Sequence, residues 1–109
     1  MIDLVAFDMD GTVLDAQSQL ADSAAEVIVE LIERRVPTAS VSGLSIRRSL
    51  EPFASRPELA RGLYMGGYNG AVVVGPDEGV GRTVLHVERL DTAVFGQLVE
   101  YGRGQDLNL

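Results

Sequence analysis

Two aspartates two residues apart, Asp8 and Asp10, stand where a short apolar run gives way to the polar turn Asp8-Met9-Asp10-Gly11-Thr12. Paired carboxylates in that setting suit a division of labour. One can attack a phosphorus atom and carry the phosphoryl group as an acyl phosphate. The other can protonate the departing oxygen and later deprotonate the water that frees the phosphate. Two negative side chains facing three negative phosphoryl oxygens need a counter-cation, and a hard, oxygen-liganded ion such as magnesium meets that need. Gly11 permits the tight turn. The plainer reading is a solvated acidic turn, since Asp-Gly is a common turn pair. Strand, Asp-x-Asp-Gly-Thr and capped helix in succession favour the chemical reading.

The elements that would position these groups follow from the patterning. Ile2 to Phe7 is apolar apart from Asp3, as in a strand buried on both faces of a parallel sheet. Asp8 then falls at the strand's carboxyl end, where open α/β sheets bind ligands. A polar loop spans Asp15 to Gln19. Ser23-Ala24-Ala25-Glu26 fits a capping box, and Ala24, Val27, Ile28, Leu31 and Ile32 recur at helical spacing. Arg34 and Arg35 suit the helix's carboxyl end, and Pro37 stops it. Thr38 to Val41 reads as a second strand ending at Ser42-Gly43, which completes a βαβ unit. A second helix starts near Ser45 with Ile46, Leu50 and Phe53 on one face, and Pro52 obscures its end. Leu63 to Met65 is a third strand and Gly66 to Gly70 a turn. Ala71 to Val74 and Thr83 to Val87 form a hairpin around the loop Gly75 to Gly81. Asp91 caps a helix carrying Val94, Phe95, Leu98 and Val99, whose pattern fades from Gly102.

Phe7-Asp8-Met9-Asp10-Gly11-Thr12-Val13-Leu14 resembles the first motif of the haloacid dehalogenase (HAD) superfamily phosphatases, and the likeness to the Cof-type branch extends from residue 1 to about residue 90. The resemblance implies that Asp8 is the nucleophile and Asp10 the acid/base. It also implies that Asp8 and Asp10, the latter through its backbone carbonyl, hold magnesium. Ser42, in Val41-Ser42-Gly43, matches the second motif, whose hydroxyl holds a phosphoryl oxygen with help from neighbouring N–H groups, Gly43 included. By itself Ser-Gly is an ordinary turn or helix cap. The branch often has threonine-glycine-arginine here, and this chain has Leu44 in place of the arginine. Tyr68-Asn69-Gly70-Ala71 resembles the branch's Asn-Gly-Ala segment, whose asparagine lies near the phosphate pocket; a plain Asn-Gly turn is the alternative. The implied fold is α/β, a Rossmann-like parallel three-layer sandwich, truncated. Residues 1–70 are then part of the core domain, and residues 71–109 the start of a cap domain, a β-hairpin plus a helix. The implied activity is magnesium-dependent hydrolysis of a small phosphorylated metabolite, a sugar phosphate by default, through an aspartyl-phosphate.

Composition narrows the field. Sixteen acidic residues against nine basic ones leave a net charge of -7, which repels a nucleic-acid backbone. There is no cysteine and a single histidine, His86, so thiolate and histidine metal sites are excluded. No apolar run reaches membrane-spanning length, and the start lacks a basic segment followed by a long apolar core, so a cytoplasmic protein with no membrane partner is expected. All nine basic residues are arginines; the chain contains no lysine. The resemblance implies a lysine from a third motif and magnesium-binding aspartates from a fourth, and neither follows Asn69. Asp77, Glu78, Asp91 and Asp106 do not stand in a Gly-Asp-x-x-Asn-Asp-like setting. The chain is therefore expected to be inactive or incomplete in this form, a fragment or a truncated product. One alternative is a noncatalytic, self-associating remnant. Another is a receiver-like phospho-acceptor domain, which fits less well because it needs a separate acidic pair, an acceptor after its third strand and a lysine. With its usual neighbours missing, the first strand would become an unprotected edge, and a homo-oligomer is expected. Arg47 and Arg48 read as a solvated helix face that could meet an anionic substrate, His86 as strand surface, and Phe53, Tyr64 and Tyr68 as core.

Overall fold

A computed structural model describes residues 1–105 of the chain; Asp106 lies outside them. Five strands, β1 (Val5–Asp8), β2 (Thr38–Val41), β3 (Tyr64–Gly67), β4 (Val72–Asp77) and β5 (Arg82–Val87), form one sheet in that spatial order. The first three are parallel, with Val5 opposite Thr38 and Ala39 opposite Tyr64. The last two run antiparallel: Met65 pairs with Val74, and Val72 with Val87. The sheet is thus mixed, and the hairpin of β4 and β5 continues it beyond β3. Helices α1 (Asp22–Glu33), α2 (Ile46–Leu50), α3 (Pro57–Arg61) and α4 (Thr92–Gly104) complete the α/β fold. Ala25 and Ile28 of α1, Phe53, Leu59 and Ala60 around α3, and Leu63, Met65 and Val74 of the sheet region share one core with Met9 and Val13.

Several boundaries depart from the sequence reading for identifiable reasons. β1 begins at Val5, not Ile2. Its ladder with β2 opens where the Val5 N–H donates to Pro37 O at 3.0 Å and Val5 stands opposite Thr38. The capping box at Ser23 is not used. α1 starts two residues earlier than that cap implies, at Asp22, with Ala21 at the cap and no side-chain cap bond. The entry is fixed instead by a small hairpin in which Leu14 bridges Leu20 and the Ala21 N–H donates to Val13 O. Asp15 closes the hairpin by accepting from the N–H groups of Gln17 and Gln19, each at 2.9 Å. β3 runs through Gly66 and Gly67, which read as turn in the sequence. α2 is only five residues long, and a single 3-10 turn holding Pro52 follows it. α3, with Pro57 in its first turn, was not legible at all. β4 extends through Pro76; the β3 ladder has already ended at Val74, so proline's missing N–H costs no inter-strand bond there. Phe53 is core, as read, but Tyr68 is 54% exposed. Asp91 caps α4 by accepting from the Ala93 N–H at 2.8 Å, and α4 runs on through Gly104, past the point where its pattern fades.

Arg82, at the start of β5, fastens the hairpin to the rest. Its guanidinium donates to Leu63 O at 2.6 Å, to Gly75 O at 2.9 Å and to Ala60 O. It therefore joins β4 to the carboxyl end of α3, where a cation complements the helix dipole. Partial burial pulls its pKa down and the Asp77 carboxylate opposes that shift. Asp77 in turn accepts from Gly79 and Gly81 N–H groups and shapes the β4–β5 turn. Arg82→Ala strands three carbonyls at once. It is expected to cost about 3 kcal/mol and to lower the thermal midpoint by on the order of 10 °C. Arg82→Lys should recover only part of this, because one ammonium cannot span the three acceptors. Thermal melts followed by circular dichroism check both; an unchanged midpoint in Arg82→Ala would refute the clasp.

Candidate active site

Because β1, β2 and β3 are parallel, their carboxyl ends lie along one edge of the sheet. Asp8 closes β1 opposite Val41, Ser42 and Gly43 follow β2, and Asn69 follows β3 by two residues. The acidic turn, Met9–Val13, is closed by the Leu14 N–H donating to Met9 O at 3.1 Å and is not helical inside: Asp10 is extended with ψ 129° and Gly11 left-handed with φ 73°. Asp8 accepts from the Met9 N–H at 2.8 Å through one carboxylate oxygen. Asp8 and Asp10 are both exposed, while Met9 between them is buried. The alternation is what the turn accomplishes: an apolar side chain anchors it and two carboxylates face outward.

The loop after β2 is bound to the connection after β3. Ser42 O accepts from the Asn69 N–H at 3.1 Å, and Leu44 O from the Tyr68 N–H at 2.9 Å. Tyr68 and Asn69 are both left-handed, with φ 50° and 56°. Asparagine tolerates that conformation; tyrosine does so at a cost that these two bonds offset. A Cβ on Gly43 would stand 3.0 Å from Asn69 Oδ1, so glycine is what lets Asn69 approach. Gly67 does the same for α2: a Cβ there would meet Ile46 Cδ1 at 2.9 Å and Leu44 O at 3.0 Å. Ser42 is buried, and its Oγ accepts from the Leu44 N–H at 3.1 Å. Its own O–H remains free to donate toward a ligand oxygen.

A cleft of about 460 Å³ opens beside this edge, between the Leu14–Leu20 hairpin and α2. Asp10, Ser18, Leu44, Arg48 and Glu51 are among the residues that line it. Of the residues singled out in the sequence, Asp8, Asp10, Ser42, Gly43 and Asn69 all fall at the same end of the sheet, but only Asp10 lines the cleft. Arg48, read as solvated helix face, lines it too, as do Ser18, Gln19 and Glu51, which stand in no motif that would select them. Among the described residues no group of three or more His, Cys, Asp or Glu side chains stands close enough to hold a metal ion. The donors the turn offers are the Asp8 carboxylate and the Asp10 backbone carbonyl. That set fits a magnesium ion bound by one or two protein carboxylates and completed by water and substrate oxygens. It does not make an all-protein cage. Of the late acids, Asp77 shapes a turn and Asp91 caps α4. No helix among the described residues is long and apolar enough to cross a membrane.

Comparison with solved structures places the fold. A haloacid dehalogenase-like hydrolase from B. subtilis superposes with a TM-score of 0.82 at 18% identity, over 95% of this chain and 34% of that one. A protein of Thermotoga maritima gives 0.72 at 25% identity, over 96% and 37%. A protein of Bacteroides thetaiotaomicron, described among phosphatases of the HAD superfamily, gives 0.77 at 19% identity, over 97% and 37%. The chain therefore spans about a third of the length of these neighbours. No curated protein matches it in sequence. The model of the haloacid dehalogenase-like hydrolases matches residues 5–109, from the first residue of β1 onward. With that match over nearly its whole length and the acidic turn at the end of the first parallel strand, the chain belongs to the haloacid dehalogenase-like hydrolase family.

Proposed function

We propose that the acidic turn is the phosphoryl-transfer centre of a magnesium-dependent phosphomonoester hydrolase. The observation that carries the reading is the grouping of Asp8 and Asp10 with Ser42, Gly43 and Asn69 at one sheet edge. An Asp8 carboxylate oxygen attacks phosphorus, and the bond from phosphorus to the ester oxygen breaks. Asp10 gives its proton to the departing alkoxide, which leaves as an alcohol. Asp10 then takes a proton from a water molecule, which attacks the aspartyl-phosphate and releases orthophosphate with Asp8 restored. The Ser42 O–H and the backbone N–H groups of the Ser42–Leu44 loop orient the phosphoryl oxygens. Asp8 and Asp10 would hold magnesium, whose charge offsets that of the phosphoryl oxygens when bound. The substrates are small phosphorylated metabolites of the cytoplasm, and the working form is a homo-oligomer. Residues 71–109, beginning with β4, lead toward the part that selects the substrate. A receiver-like phospho-acceptor domain fits less well, because the acidic turn lies at the end of β1 and the family is one of hydrolases.

Binding tests this separately from turnover. Orthophosphate with magnesium, followed by ³¹P line broadening, is expected to bind the 109-residue chain. Ser42→Ala should weaken it about tenfold, the loss of one hydrogen bond to a charged group. Acetyl phosphate should label the chain at an acyl phosphate that hydroxylamine removes, and Asp8→Asn should abolish the label. Labelling that survives Asp8→Asn would end the proposal.

A further inference from the structure

We infer that the cleft beside Asp10 receives the alcohol half of the substrate, and that Arg48 selects alcohols bearing a carboxylate. This rests on the phosphatase reading above. The departing oxygen must lie within reach of the acid that protonates it. The alcohol therefore lies on the Asp10 side of the phosphorus, and Asp10 lines the cleft. Leu14, Leu44 and Pro52 give the cleft apolar walls. Its charged groups besides Asp10 are Arg48 and Glu51. Arg48 is the sole cation in the lining and makes no ion pair among the described residues. A guanidinium offers a carboxylate two parallel N–H donors. A neutral sugar alcohol gives it no charge to pair with. A second phosphate would bring up to two negative charges against one cation and two carboxylates, so a single carboxylate is the better match. Glu51, three residues beyond Arg48, can accept from a hydroxyl next to that carboxylate. The substrate class is then the phosphomonoester of a small hydroxy acid.

The matched pair 3-phosphoglycerate and glycerol 3-phosphate tests this, since the two differ mainly in a carboxylate replacing a hydroxymethyl group. Each is titrated calorimetrically into the full 109-residue chain with magnesium, alongside orthophosphate. The acid is expected to bind at least about tenfold more tightly than the alcohol, as a charge-assisted, two-point contact requires. In Arg48→Gln the ratio of the two affinities should fall to near one, and in Arg48→Lys it should remain partly above one. A ratio near one in the parent chain, or an undiminished ratio in Arg48→Gln with an unchanged melting curve, overturns the inference. If orthophosphate binds in a Ser42-dependent way while the carboxylate preference is missing, the inference alone falls. Failure of orthophosphate to bind, or indifference of its binding to Ser42→Ala, removes the phosphatase reading and this inference with it.

Discussion

Hydrolysis of p-nitrophenyl phosphate by the 109-residue chain, with magnesium present, is expected to be at least about a thousandfold slower than by a full-length relative. The reason is the balance of charge at the transferring group. On the reading proposed above, Asp8 and Asp10 face a phosphoryl group that already spreads negative charge over three oxygens. No lysine exists anywhere in the sequence to offset it. Arg48 lines the cleft beside Asp10, where the inference above assigns it to the alcohol half of the substrate. Removing one preorganised electrostatic group costs on the order of a hundred to a thousandfold in rate. Here the sequence has no lysine, and among the described residues no group of three or more His, Cys, Asp or Glu side chains could hold a metal ion. Binding needs less than turnover. On the same reading, the acidic turn with magnesium bound, the Ser42 hydroxyl and a few N–H groups would hold phosphate in its ground state, so affinity and rate are expected to come apart. Steady-state assays beside an intact relative check this. Turnover equal to the relative's and abolished by Asp8→Asn would show that the missing charges are supplied from within these 109 residues.

Where local chemistry decides the structure, the sequence discloses it. Thr38 to Val41 is a strand with the boundaries read from Pro37 before it and Ser42-Gly43 after it. Asp91 caps its helix because a carboxylate two residues from a free N–H needs nothing further. Asp8 and Asp10 could be picked out as a carboxylate pair where the first apolar run ends, and Ser42, Gly43 and Asn69 only through the resemblance; parallel pairing of β1, β2 and β3 then brings these strand ends to one end of the sheet. What stayed hidden depends on packing between distant segments. Gly66-Gly67 reads as a turn because glycine is common in turns, yet Gly67 is a strand residue whose missing side chain makes room for Ile46 and Leu44. Pro57 to Arg61 is too short to display a helical period. Arg82 looks like any strand arginine until Ala60, Leu63 and Gly75 present their carbonyls to it. Arg48 reads as solvent-facing because only the folding of the Leu14–Leu20 hairpin opposite α2 makes a cleft for it to line. Tyr68 reads as core because it is aromatic, but its left-handed backbone belongs to a surface connection.

The chain is also expected to associate with itself at micromolar concentration through the free edge of β1. That strand pairs with β2 on one side only. The Val5 N–H points to Pro37 O, so by the alternation of a strand the Ala6 N–H points to the open side. No proline or lysine protects this edge, and Asp3 is the single charge ahead of Asp8. Four paired residues bury too little by themselves, since stable interfaces cover roughly 1,200 Å² or more in total. Ile2 and Leu4, 70% and 57% exposed, extend the edge with apolar area that contributes about 25 cal/mol per Å² when covered. A two-fold arrangement lets each copy supply the same patch to the other. A second apolar surface competes for this role. α4 is exposed along its length except at Val99 and Gly102, with Phe95, Leu98 and Tyr101 open to solvent. The radius of gyration, 16.5 Å, exceeds the roughly 13 Å of a globular chain this long. Ala6→Pro separates the two surfaces. It removes the outward N–H while leaving the bonds from β1 to β2 in place. Light scattering should give a dimer for the parent chain and a monomer for Ala6→Pro with the same far-ultraviolet spectrum. A dimer indifferent to Ala6→Pro but dispersed by Phe95→Asp would move the contact to α4, and a folded parent monomer would leave both surfaces without a partner of their own kind.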